Sequence, residues 1–132
     1  MNRVQILKIH GETGPTLNKF YAGMHYSKRK QIKDAWKLLT RIAVAKQGTL
    51  PVETYPISID CCILFGPGKR RYDWENCAAT MKLIQDALCS LGILTDDNHK
   101  YIIGGRLWTE RSDEESCVQI ALREGSFAMK FS

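Results

Sequence analysis

Four carboxylates are spaced so that they could act together in one reaction, Asp73 with Glu75 and Asp96 with Asp97. The first two stand where an apolar stretch passes, through a Gly-Pro-Gly turn, into a helix-forming segment. The second two follow that segment just after Gly92. Carboxylates a few ångströms apart cannot all stay ionised near neutral pH unless a cation neutralises them. A hard cation with oxygen ligands fits best, and Mg²⁺ typically takes a few carboxylates plus waters and a substrate phosphate. Such an ion polarises a phosphodiester, generates hydroxide and stabilises the departing oxygen. Lys82 and Asp86 share a helix face with Glu75, so the lysine could reach phosphate or orient a water. Each piece also has a local explanation. Asp73 can be an N-cap, Glu75 a first-turn acid, and Asp96-Asp97-Asn98 a polar turn. Lys82 and Asp86 can be a plain i, i+4 pair worth ~0.3–0.5 kcal/mol.

The acids meet only if the surrounding elements fold back correctly. A helix from about Trp74 to Leu91 spans ~27 Å at 1.5 Å per residue. The chain must therefore reverse after Gly92 and return along it. On that helix Cys77, Met81, Ile84, Leu88 and Leu91 form an apolar stripe, with Glu75, Lys82 and Asp86 opposite. Upstream, Val4 to Ile9 reads as a short strand, and Ser27 to Lys46 as a helix with Ile32, Trp36, Leu39, Ile42 and Ala43 on its apolar face. Ser27 is placed to start that helix and Gly48 to end it. Tyr55 to Phe65 is a nearly continuous apolar and β-branched run, as expected of a strand covered on both faces. Two more strands are expected at Tyr101 to Thr109 and Cys117 to Leu122, with a polar turn between. The predicted architecture is α/β (α+β): one domain over residues 1–132, a mixed β-sheet packed with two main helices.

Length and composition agree with this. The chain has 132 residues, 44% of them hydrophobic and 25% charged, the balance of a folded globular domain. No apolar run approaches the ~18 residues a membrane span needs, and the N-terminus lacks an uninterrupted apolar stretch. The expected location is the cytoplasm, away from any membrane. Cys61, Cys62, Cys77, Cys89 and Cys117 show no Cys-x-x-Cys spacing and sit among apolar residues, so they read as reduced core thiols. The net charge of +5 is concentrated in two clusters, Lys28-Arg29-Lys30 with Lys33, and Lys69-Arg70-Arg71. Two such clusters suit a polyanion, whose condensed counterions are released on contact, although each could also be a solvated face.

Asp73-Trp74-Glu75-Asn76, followed by Lys82, Asp86, Leu88, Gly92 and then Asp96-Asp97-Asn98, resembles the signature of RusA-like Holliday-junction resolvases. Leu17-Asn18-Lys19-Phe20-Tyr21, with His25 and the basic helix through Trp36, is similar to that family's N-terminal segment. The resemblance runs from about Pro15 to Asp97 and is specific in combining several residue types across a long helix. It implies a RusA-like domain and a homodimeric endonuclease that nicks four-way DNA junctions symmetrically with Mg²⁺, or Mn²⁺ as a substitute, in recombination, repair or phage DNA processing. By position it implies Asp73, Glu75, Lys82 and Asp97 as catalytic residues and Asp73, Glu75, Asp96 and Asp97 as metal ligands. Lys19, Lys28, Arg29, Lys30, Lys33, Lys69, Arg70 and Arg71 would hold DNA. Glu75 departs from the pattern, which has Asp there. The extra methylene moves the oxygens by about a bond length, which strict octahedral Mg²⁺ feels. The alternative is a non-catalytic, structure-selective DNA-binding protein of the same fold. A Ca²⁺-binding domain of the EF-hand kind is disfavoured because no Asp-x-Asp-x-Asp-Gly loop is present.

Overall fold

In the computed structural model, which describes residues 3–15, 25–71 and 73–125, the apolar runs become the strands of a single mixed sheet. β1 (Val4–His10) turns Leu7 and Ile9 inward and leaves Val4 and Ile6 exposed, the period-2 alternation of a half-covered strand. β2 (Ile57–Phe65) lies in the middle and is buried along nearly its whole length. On one side it pairs antiparallel with β5 (Cys117–Glu124), beyond which lies β1. On its other side it pairs in parallel with β3 (Ile102–Gly104) and β4 (Leu107–Arg111), one after the other.

The single strand expected over Tyr101 to Thr109 is thus two. Gly104, at φ 150°, breaks the strand where the pairing register shifts. Gly105 crosses so close to β2 that a Cβ there would overlap the Ile59 carbonyl. We expect Gly105→Ala to cost about 3 kcal/mol through overpacking against rigid backbone, read as a lowered urea midpoint with an unchanged slope. An unaltered midpoint would show that the crossing relaxes freely.

The helices pack on the sheet face that carries Leu7, Ile59 and Leu122. α1 (Tyr26–Gln47) starts one residue earlier than the pattern suggested. His25, not Ser27, is the N-cap, its Nδ1 accepting from the Ser27 amide at 3.3 Å. Gly48 ends the helix in the left-handed region at φ 66°. Trp36, Thr40 and Ala43 are its buried residues. Ile42, expected inside, is 44% exposed. The second helix opens as a 3-10 turn (Trp74–Cys77) before becoming α2 (Ala78–Ser90). Its buried face includes Ala79, Leu83 and Ala87 beside the expected Ile84 and Leu88, which leaves Met81 and Leu91 at the margin. Each fully buried aliphatic side chain here contributes roughly 1.5–3 kcal/mol relative to exposure.

All five cysteines are free, and four are buried. Burial pushes the Cys62 and Cys77 thiols up to about 11 and Cys61 higher still, so they remain protonated packing groups at neutral pH. Among the described residues, no helix is long and apolar enough to cross a membrane.

Candidate functional site

Gly92 supplies the reversal that the acidic pairs require. At φ 76° it turns the chain out of α2, and the Ile93 and Leu94 amides bond back to the Leu88 carbonyl at 3.0 and 3.2 Å. Ile93 and Leu94 are buried, and the Thr95 amide donates to the Tyr55 hydroxyl at 2.9 Å. The following acids therefore run back beside the helix they left. Asp96 Oδ1 accepts from the Asp97 amide at 2.7 Å, and its Oδ2 accepts from Asn98 Nδ2 at 3.2 Å. The Asn98 carbonyl then receives the Tyr101 and Ile102 amides, which leads the chain into β3.

This return places Asp97 against Lys82. The lysine ammonium donates to Asp97 Oδ2 and lies 3.2 Å from Asp86 Oδ1, so one cation holds two carboxylates that are 11 residues apart in sequence. The hydrogen bond to Asp97, helped by Asp86 and opposed by partial burial, holds the Lys82 pKa above its ordinary value. The same bond holds the Asp97 carboxyl below the usual range. Both groups are charged at neutral pH. Lys82 is thus suited to stabilising anionic charge rather than to taking a proton.

Asp73 and Glu75 sit at the entry to the same helical stretch, both exposed. Asp73 is the N-cap of the 3-10 turn, as expected, its carbonyl accepting the Asn76 amide at 2.9 Å, but its carboxylate makes no capping bond. From Glu75 to Lys82 is roughly 11 Å along the axis. Asp86 and Asp97 accordingly hold Lys82, with Asp96 adjoining Asp97, while Asp73 and Glu75 stand two turns or more away. Among the described residues no three His, Cys, Asp or Glu side chains come together as a group that could hold a metal ion. As placed, the carboxylates do not make up an ion site, since the Lys82 ammonium satisfies Asp97.

Of the two basic clusters, one adjoins these acids. Lys69, Arg70 and Arg71 leave the Gly66-Pro67-Gly68 turn and are exposed, but they are not equivalent. Arg71 is pinned to β4, its Nε donating to Thr109 Oγ1 at 2.8 Å and its Nη2 to the Thr109 carbonyl at 2.9 Å. Arg111 ties the same loop down by donating to the Lys69 carbonyl at 2.6 Å. Lys69 and Arg70 make no side-chain bond among the described residues. Lys28, Arg29, Lys30 and Lys33 occupy the first turns of α1, where Lys30 pairs with Asp34 at 3.1 Å. Lys33 lines, with Lys37 and Asp86, a groove of about 170 Å³ between the two helices, so this cluster adjoins the acids. Trp74, next to Asp73, is 58% exposed. Lys19 and Tyr72 lie outside the described residues, as do Asn18, Phe20 and Tyr21.

Sequence reasoning missed a second ionic centre. Asp60, in the middle of β2 and 5% exposed, accepts from Arg123 Nε at 2.8 Å, the Arg106 amide at 3.0 Å and Arg106 Nη2 at 3.3 Å. A lone Asp inside an apolar strand was the available signal, because such a charge must find a partner. Comparison with known proteins found no matching family model and no match among curated proteins.

Proposed function

We propose that this chain is a divalent-ion-dependent endonuclease acting on branched DNA, the four-way junction first. The observation that carries this reading is Lys82, an ammonium fixed between Asp86 and Asp97 beside a groove lined by Lys33 and Lys37. A phosphodiester laid there meets a cation for its developing charge and ionised carboxylates for the attacking water or a metal. Mg²⁺ or Mn²⁺ is the proposed cofactor, and Asp73 and Glu75 would add carboxylate oxygens to it only after a rearrangement that closes the roughly 11 Å to Lys82. A homodimer suits this reaction, since two opposed strands of a junction are cut by identical sites related by a two-fold axis.

A second reading, structure-selective binding without cleavage, draws support from the lack of a gathered metal group among the described residues. One experiment separates the two: purified protein with labelled four-way junction, flap and linear duplex, with and without Mg²⁺. The nuclease reading expects paired nicks in the junction that depend on the ion. Binding with no nicking under any divalent ion would leave the second reading.

The basic residues carry a prediction of their own. Replacing both Lys69 and Arg70 by Ala should weaken junction binding and reduce the slope of log affinity against log salt by about 1–2, since each lost phosphate contact removes close to one released counterion. A slope equal to that of the parent would put the DNA elsewhere.

A further inference from the structure

The sheet face turned away from the helices carries a cleft of about 530 Å³, lined by Ser58 and Asp60 of β2, Arg123 of β5, and the Gly104-Gly105-Arg106 link between β3 and β4. Its size falls within the roughly 300–1,000 Å³ typical of small-molecule sites. Its chemistry is uneven: two guanidinium groups face one carboxylate, an excess of one positive charge. Arg106 is pre-organised. Its Nη2 is held by Asp60 at 3.3 Å and its guanidinium carbon lies 5.4 Å from the centre of the Trp108 ring. Its side chain is nevertheless 71% exposed, and Nε and Nη1 bond nothing among the described residues. A planar cation fixed on one edge and one face, with its other N–H groups free, is a fork for a phosphate. The adjoining wall offers apolar surface, with Ile103 47% exposed beside the open space at Gly104.

We propose that this cleft binds a nucleotide, its phosphate on Arg106 and its base along the Ile103–Gly104 wall. The nucleotide is either free or part of a DNA strand. The site is distinct from the Lys82–Asp97 ridge, because Ser58 and Asp60 alternate with the core-facing Ile57 and Ile59 and so point away from α2. It does not depend on the nuclease reading and needs no metal.

The test is calorimetric titration in a chelating buffer with deoxyadenosine monophosphate, deoxyadenosine, inorganic phosphate and a short oligo-deoxyadenosine strand. Saturable binding of the nucleotide is expected, at least about tenfold tighter than the nucleoside, and Arg106→Gln should weaken it about tenfold or more. A strand that binds tighter per nucleotide than the monophosphate identifies DNA as the source; equal affinity identifies a free nucleotide. Amide resonances of the parent protein supply a readout that does not rely on the variant folding: Gly104, Gly105 and Arg106 should shift on titration. No saturable binding of any phosphate-bearing probe, equal affinity in Arg106→Gln, or shifts confined to the Lys69–Arg70 loop would overturn the assignment.

Discussion

Asp97→Asn is expected to lower Mg²⁺-dependent nicking of a four-way junction by about 100-fold or more, a loss of roughly 2.7 kcal/mol of transition-state stabilisation. The substitution preserves shape and removes one charge. Asparagine makes a weak ligand for a hard cation and cannot accept a proton from water, while Lys82 loses the partner that most raises its pKa. Junction binding should be unchanged or tighter, since one negative charge leaves a surface that approaches phosphate. The fold should hold, because Lys82 and Asp97 are a partly exposed pair worth at most about 1 kcal/mol to stability. Initial nicking rates and gel-shift affinities on the same preparation decide the matter. Parental activity in the variant would remove Asp97 from the chemistry and, with it, the role given to Lys82.

Those parts of the molecule governed by local chemistry were legible from the chain. The continuous apolar run ending at Phe65 is the central strand because such a run can only be satisfied when both faces are covered. Gly48 and Gly92 end the helices because each adopts a positive φ that another residue resists. What sequence spacing could not carry was the outcome of pairing between distant segments. The break between β3 and β4 arises from how closely Gly105 passes Ile59, and this depends on the crossover returning parallel to β2. The division of labour within Lys69-Arg70-Arg71 is invisible in the sequence, because Arg71 is committed only by a threonine 38 residues away. In the acidic constellation, spacing pointed to Asp73 and Glu75 coming together with Asp96 and Asp97, whereas the side chain that meets Asp97 is Lys82. It could not say that the lysine, rather than Asp73 or Glu75, would be the nearest neighbour of Asp97. A helix of fixed rise sets that distance, and the loop after Gly92 is too short to carry Asp97 back to the helix entry.

Asp60→Ala should destabilise the fold by about 3 kcal/mol, a large part of the roughly 5–15 kcal/mol typical of a domain. Alanine leaves the Arg106 amide without its acceptor and two guanidinium groups facing each other across the vacated space. The loss should also be pH-dependent. Burial raises the Asp60 pKa, but the bonds from Arg123 and Arg106 outweigh it, and the net value lies below the ordinary one. A carboxyl with a depressed folded pKa contributes its full stabilisation above the unfolded value, about 3.9, and loses it as pH falls through the folded value. Glu124 acts with the same sign. Burial is opposed by the Arg3 guanidinium and by the Thr54 and Glu53 amides, and the net shift is again downward. The parent protein should therefore hold a flat stability from neutral pH to about 5, then weaken steeply below about 4. In Asp60→Ala the acid limb should be shallower, with the contributions of Glu124 and Asp97 remaining. Urea midpoints at neutral pH and at several points down to about pH 3 measure both effects at once. If the two stability curves stay parallel through the acid range, Asp60 takes up its proton equally in the folded and unfolded chains, and the two arginines do not hold it as an ion.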